Sequence, residues 1–180
     1  MIVTLVLAGE IGFWVVLALA LTARYLLRWR SVSTVLLFGL PLIDLAILVL
    51  TAVDLRSGAT ASWTHGLAAA YVGFSVAFGH SLVTWADGHA RHRLAGGPRP
   101  PRAPRYGSAR AAHEWRIFAR TALAAAVTVG LIAAMTWLID APDRTAALGV
   151  WYQRMGAVTG INLLIAASYT LFPKKAPVRG

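Results

Sequence analysis

The chain has no cysteine, and only seven of its 180 residues are acidic. The first absence excludes disulfides, thiolate nucleophiles, zinc–thiolate sites and iron–sulfur clusters. The second belongs to a wider shortage of charge, with 13% of residues charged against 58% hydrophobic. Mean hydropathy is +0.64. A soluble domain needs a more charged surface, so this composition predicts a polytopic membrane protein without a second soluble domain of any size. Gly-rich phosphate loops, GxSxG elbows and HExxH motifs are also missing from the sequence, which removes the familiar soluble-enzyme signatures.

What is there is mostly apolar. Five runs, residues 3–27, 32–53, 60–85, 116–139 and 145–172, are long enough for lipid, since a crossing takes about 20 helical residues. They predict an all-α bundle of five transmembrane helices in a single domain. No cation precedes the first run, where Arg24 is the first arginine, so it reads as a span rather than a cleaved signal peptide.

The cations orient the bundle. Arg24, Arg28 and Arg30 lie near the first turn, and Arg91, Arg93, Arg99, Arg102, Arg105, Arg110 and Arg116 lie between spans three and four. Lys174, Lys175 and Arg179 follow span five. The other two connections carry one arginine each, Arg56 and Arg144, beside Asp54, Asp140 and Asp143. Thirteen cations against two predict an outside N-terminus and a cytoplasmic C-terminus. The net charge of +10 is thereby assigned to topology and to attraction for anionic membrane lipids, not to nucleic acid. Its centre is a basic loop at 88–108, where GGPRPPRAPRYG is expected to be extended, with Ser108 capping a helix that enters span four.

Small residues recur at helical spacing: Ala69, Gly73 and Ala77 in span three, Ala122, Ala126, Gly130 and Ala134 in span four, and Gly156 and Gly160 in span five. Such stripes let backbones approach closely, within the bundle or across a homodimer. Pro41, in the middle of span two, is a candidate kink.

Three ionisable residues fall inside predicted spans at matched depth, about 10–15 Å from the outer face at 1.5 Å per residue: Glu10, Asp44 and Arg154. A central charge costs about 2.5–3.5 kcal/mol on insertion scales, so three at one depth are expected to compensate one another. One guanidinium serving two carboxyls predicts one acid ionised and one protonated, an acid–base pair. Gln153 stands beside Arg154, while Trp14 and Tyr71 are expected to line a pocket near the acids, with His65 as a proton shuttle or an interfacial residue. Trp63, Trp137 and Trp151 read as an interfacial belt. A second polar patch, His80, Thr84 and Asp87 with Asn162 entering from span five, reads as a structural hydrogen-bond network. Histidines at matching depth on different helices are lacking, so no metal or haem is expected.

The stretches PLIDLAILVLTAVDLRSGA, HGLAAAYVGFSVAFGHSLVTWAD, RLAGGPRP and SYTLFP resemble the small YmcC-like integral membrane proteins of bacteria. The resemblance covers most of the chain and implies a bacterial plasma-membrane location; it carries no catalytic role. From the residues themselves, three functions are in competition. The first is an enzyme acting on a small isoprenoid- or lipid-like substrate, with Glu10 and Asp44 moving protons as in membrane terpene cyclisation. The second is a small proton-coupled transporter. The third is a structural or partner-binding protein in which Glu10, Asp44 and Arg154 form a buried clasp.

Overall fold

The computed structural model describes residues 2–173, with the side chains of residues 2, 3, 5–7, 9, 10, 38, 41 and 44 outside that description. The described chain is all-helical: α1 (Ile2–Tyr25), α2 (Arg30–Arg56), α3 (Trp63–Ala95), α4 (Gly107–Ile139), a short α5 (Pro142–Thr145), a 3-10 turn (Ala146–Leu148) and α6 (Val150–Leu171). Two of these, α3 and α4, are long and apolar enough to cross a membrane, with mean hydropathies of 1.4 and 2.2 in their most apolar windows. At 1.5 Å per residue each runs for about 50 Å, against a hydrocarbon core of about 30 Å. Set across such a core, each would project at one end.

Consecutive helices alternate in direction, as the contacts at their ends require. At one end Tyr25 meets Asp87 and Trp115 meets Thr170; at the other Asp54 meets His65 and Trp151 meets Trp63. The first is the arginine-rich end. Helices α1, α2 and α3 pack on one another, α4 packs on α3, and α6 packs mainly on α4. The core lies where α3 meets its neighbours and includes Leu55, Ala69, Ala70, Ile132, Met135, Leu148, Trp151 and Met155. The outside is apolar as well: Trp137, Phe172, Val35 and Leu164 are each more than 70% exposed. In water such a surface would be an aggregation hazard; in lipid it is the solvated face.

Close approach at α3 depends on glycine. A Cβ at Gly73 would stand 2.5 Å from the Ala124 carbonyl oxygen of α4 and would collide with the Thr128 hydroxyl. The expected span-three stripe is thus a packing face. The expected span-four stripe is not: Ala126, Gly130 and Ala134 are exposed, and α4 instead buries Thr121, Ala124, Thr128, Ile132 and Met135. Gly156 and Gly160 on α6 also meet nothing within 4 Å.

The element boundaries differ from the hydropathy reading in three places. Helix α3 continues to Ala95, where Gly96 at φ 63° forms a left-handed C-cap, so the basic loop shrinks to 96–106. Helix α4 begins at Gly107, which puts Ser108 inside its first turn rather than at the cap. The fifth run is not one helix from residue 145, because α5 and the 3-10 turn precede Val150. Helix α2 is continuous through residue 41.

Replacing Gly73 by alanine should lower the thermal stability of the detergent-solubilised protein, because the obstacle is a backbone carbonyl that cannot swing away. The expected cost is about 1–3 kcal/mol, the usual range for overpacking. Gly130→Ala, on the open face of α4, serves as the comparison and should keep or raise the melting temperature, because alanine is the better helix former.

Candidate functional site

Between α1 and α3 lies a cleft of about 200 Å³ walled by Phe13, Trp14, Tyr71, Phe74 and Phe78. Phe13 and Trp14 meet edge to face at 5.6 Å, and Phe74 stacks on Phe78 at 5.8 Å. The helical repeat explains the convergence, since 71, 74 and 78 share one face of α3 at three- and four-residue spacing. A second cavity of about 460 Å³ shares Phe13, Ser75 and Gly79 with the first and opens toward the arginine-rich end, where Arg24, Thr34 and His80 line it. Their combined volume falls within the size range typical of small-molecule sites, about 300–1,000 Å³. Gly79 keeps the passage open, with only the Ser75 hydroxyl, at 3.8 Å, near the position of an added Cβ.

Trp14 and Tyr71 thus share one cleft. The side chains of Glu10 and Asp44, and of Pro41, lie outside the described residues. Their backbone register is clear: Glu10 precedes Phe13 and Trp14 by one turn of α1, and Asp44 follows Leu40, a wall of the second cavity, by one turn of α2. Arg154 rides on α6, exposed, with its guanidinium 5.1 Å above the Trp151 ring. Since α6 packs mainly on α4, Arg154 belongs to a different layer from the helices that carry the two acids. Gln153 is exposed beside it.

His65 is buried at 5% exposure. The Ser62 backbone N–H donates to Nδ1 at 3.1 Å, which leaves the ring proton on Nε2, facing Asp54 Oδ2 at 3.3 Å. This ties the start of α3 to the end of α2. Around it Arg144 donates to the carbonyls of Leu55 and Ala59 and accepts the Ala61 N–H at 2.8 Å. Trp151 donates to the Trp63 carbonyl at 3.1 Å and stacks on the Trp63 ring at 6.4 Å. The turn after α2 meets the helix's last carbonyls through the N–H groups of Ser57, Gly58 and Ala59, and Arg144 adds a charged donor to Leu55 and to the loop carbonyl of Ala59. Two of the tryptophans read as an interfacial belt, Trp63 and Trp151, also hold α3 to α6.

The second polar patch is arranged differently from the expected network. Asp87 accepts the Tyr25 hydroxyl at 2.8 Å and lies 3.7 Å from an Arg24 nitrogen. His80 is two turns away on the same helix, about 10 Å, and cannot reach it. His80 is exposed and lines the second cavity, while Thr84 donates to the His80 carbonyl. Asn162 donates to Val158 in its own helix at 3.0 Å. Among the described residues no cluster of three or more His, Asp or Glu is placed to hold a metal ion.

One buried acid escaped the sequence reading. Glu114 on α4 is 6% exposed and pairs with Arg110, whose guanidinium also lies 4.9 Å above the Tyr169 ring of α6. The Arg110–Glu114 spacing of four was the available signal. It was hidden by its position outside every apolar run.

Replacing Arg144 by methionine should destabilise the protein by about 1–3 kcal/mol, because the Ala59 carbonyl loses its side-chain donor and the Leu55 carbonyl keeps only the Gly58 N–H. Thermal unfolding in detergent reads this, and Arg154→Met, which strips no carbonyl of a partner, should cost less.

No protein-family model and no solved structure matches the chain. It is 38% identical over 167 residues to a protein of Bacillus subtilis (strain 168) named uncharacterized membrane protein YmcC, a match covering 92% of this chain and 89% of that one. Identity at that level along nearly the whole length, on an all-helical fold with two membrane-length helices, places the chain in the family of YmcC-like membrane proteins.

Proposed function

We propose that the chain is a five-span protein of the bacterial plasma membrane, with its arginine-rich end in the cytoplasm, that binds a small lipophilic molecule between α1, α2 and α3 and performs acid–base chemistry on it. The observation that carries this reading is the aromatic cleft of Phe13, Trp14, Tyr71, Phe74 and Phe78, joined to a larger cavity in the same three-helix layer. Aromatic faces hold an isoprenoid- or lipid-like chain and stabilise developing positive charge. The Glu10 and Asp44 positions, one turn from walls of the two cavities, supply a carboxylic acid and a carboxylate at about the depth of the cleft. Thirteen cations at one end against two at the other support the orientation.

The test is comparative mass spectrometry of lipid extracts from cells expressing the wild type, Glu10→Gln, Asp44→Asn or Gly79→Leu at matched levels. A species gained or lost only with the wild type is expected. Gly79→Leu fills the cleft and leaves both acids in the sequence, so it should give the same loss. Extracts that match across all four would reject the chemistry. A wild-type signal retained in both acid variants would remove the proton-transfer roles from Glu10 and Asp44.

A further inference from the structure

The ends of α3 and α4 and the loop between them border an open basin of about 1,100 Å³, walled in part by Arg93, Arg99, Arg102, Arg105, Arg110 and Arg116. No Asp or Glu is among the described residues that line it. Arg110 is neutralised from behind by Glu114, which leaves five guanidinium groups without an acidic partner among the described residues. Twenty helical residues, enough for about 30 Å, carry α3 from Trp63 to Leu82 and α4 back from Ile139 to Arg120. The basin therefore begins where the hydrocarbon ends.

Its walls are built. Pro100, Pro101 and Pro104 restrict the loop, and Pro100 packs near Gly88 of α3. Arg110 donates to the Pro104 carbonyl at 3.4 Å, and the Gly97 N–H donates to the Arg91 carbonyl at 3.1 Å. His89 and His92 each give the Nδ1 proton to a backbone carbonyl, of Trp85 at 2.8 Å and of Gly97 at 2.7 Å, which keeps Nε2 for another partner. Gathering five like charges around one basin is unfavourable unless counterions or a bound anion screen them. A topology signal needs no such gathering around one basin, because positive charge acts there wherever it falls along a short loop.

We propose that this basin binds a ligand carrying two or more linked phosphate groups. Guanidinium groups meet phosphate oxygens with paired, charge-assisted hydrogen bonds, and five of them exceed what a single phosphate engages. A volume of this size admits a polyphosphate with its attached group, whether the source is a soluble polyphosphate or the headgroup of a pyrophosphorylated lipid. The site is separate from the aromatic cleft and does not rest on the chemistry proposed there.

Full-length protein in phosphatidylcholine nanodiscs, titrated calorimetrically with inorganic tripolyphosphate and with inorganic phosphate, tests the assignment. Saturable one-to-one binding of tripolyphosphate is expected, at least about tenfold tighter than phosphate, as one additional charged hydrogen bond alone provides. The triple variant Arg99→Gln, Arg102→Gln, Arg105→Gln alters only loop residues and should weaken tripolyphosphate at least about tenfold while keeping the ligand-free melting temperature. If that variant fails to fold, Arg102→Gln alone replaces it, and the wild-type preference stands as an independent criterion. Equal affinity for the two anions, absence of binding, or unchanged affinity in the folded variant overturns the proposal. Farnesyl pyrophosphate in the same nanodiscs then separates the sources. Competition at higher affinity than tripolyphosphate assigns the site to a lipid headgroup, and weaker competition assigns it to a soluble ligand.

Discussion

The structure depends on how closely α3 can approach its neighbours. Lipid tails offer apolar side chains as good a home as another helix does, so helices associate through van der Waals fit and polar contacts instead. Gly73 lets α3 lie against Ala124 and Thr128 of α4, and Gly66 makes room for the Trp151 ring, which an added Cβ would strike. With α1 and α2 on its other side, α3 is the element common to both halves of the fold. It also supplies Tyr71, Phe74, Phe78 and Gly79 to the cleft. Packing on one face and a cavity on the other are two uses of the same helix.

Polar groups are concentrated at the two ends, where the backbone leaves helical order and needs partners. At the end opposite the arginines, Arg144 and Trp151 donate to backbone carbonyls and His65 meets Asp54, which ties α2, α3, α5 and α6 together. At the arginine-rich end, Asp87 gathers Tyr25 and Arg24, and Glu114 gathers Arg110. These two acids each hold an arginine in place, while most guanidinium groups of the basin have no acidic counterpart among the described residues. The asymmetry separates structural charge from charge that faces outward.

Hydropathy made the helices legible but misjudged their limits. It measures affinity for lipid, whereas helicity continues through ARHRLA and GSARAAHEWR because Ala, Arg and Leu are strong helix formers in either solvent. The break before Val150 was concealed for the opposite reason, since the TAALGV stretch is apolar and reads as unbroken span. Trp14 and Tyr71 could be placed near one pocket from their depth, and both line the aromatic cleft. Arg154 could not be placed that way: depth is one coordinate, and which helix α6 packs against depends on interhelical fit. His65 reads from type and depth as a proton shuttle or an interfacial residue, and the Ser62 N–H that meets its Nδ1 becomes visible only in three dimensions.

The central claim is that the space between α1 and α3 holds a lipophilic molecule. The most direct measurement is an experimental density map of the protein extracted with its native lipids, viewed between Phe13, Tyr71 and Phe78. The account predicts elongated density in that cleft, continuing past Gly79 toward Arg24 and His80. A cleft closed by direct contact of the α1 and α3 rings, with no density between them, would contradict it.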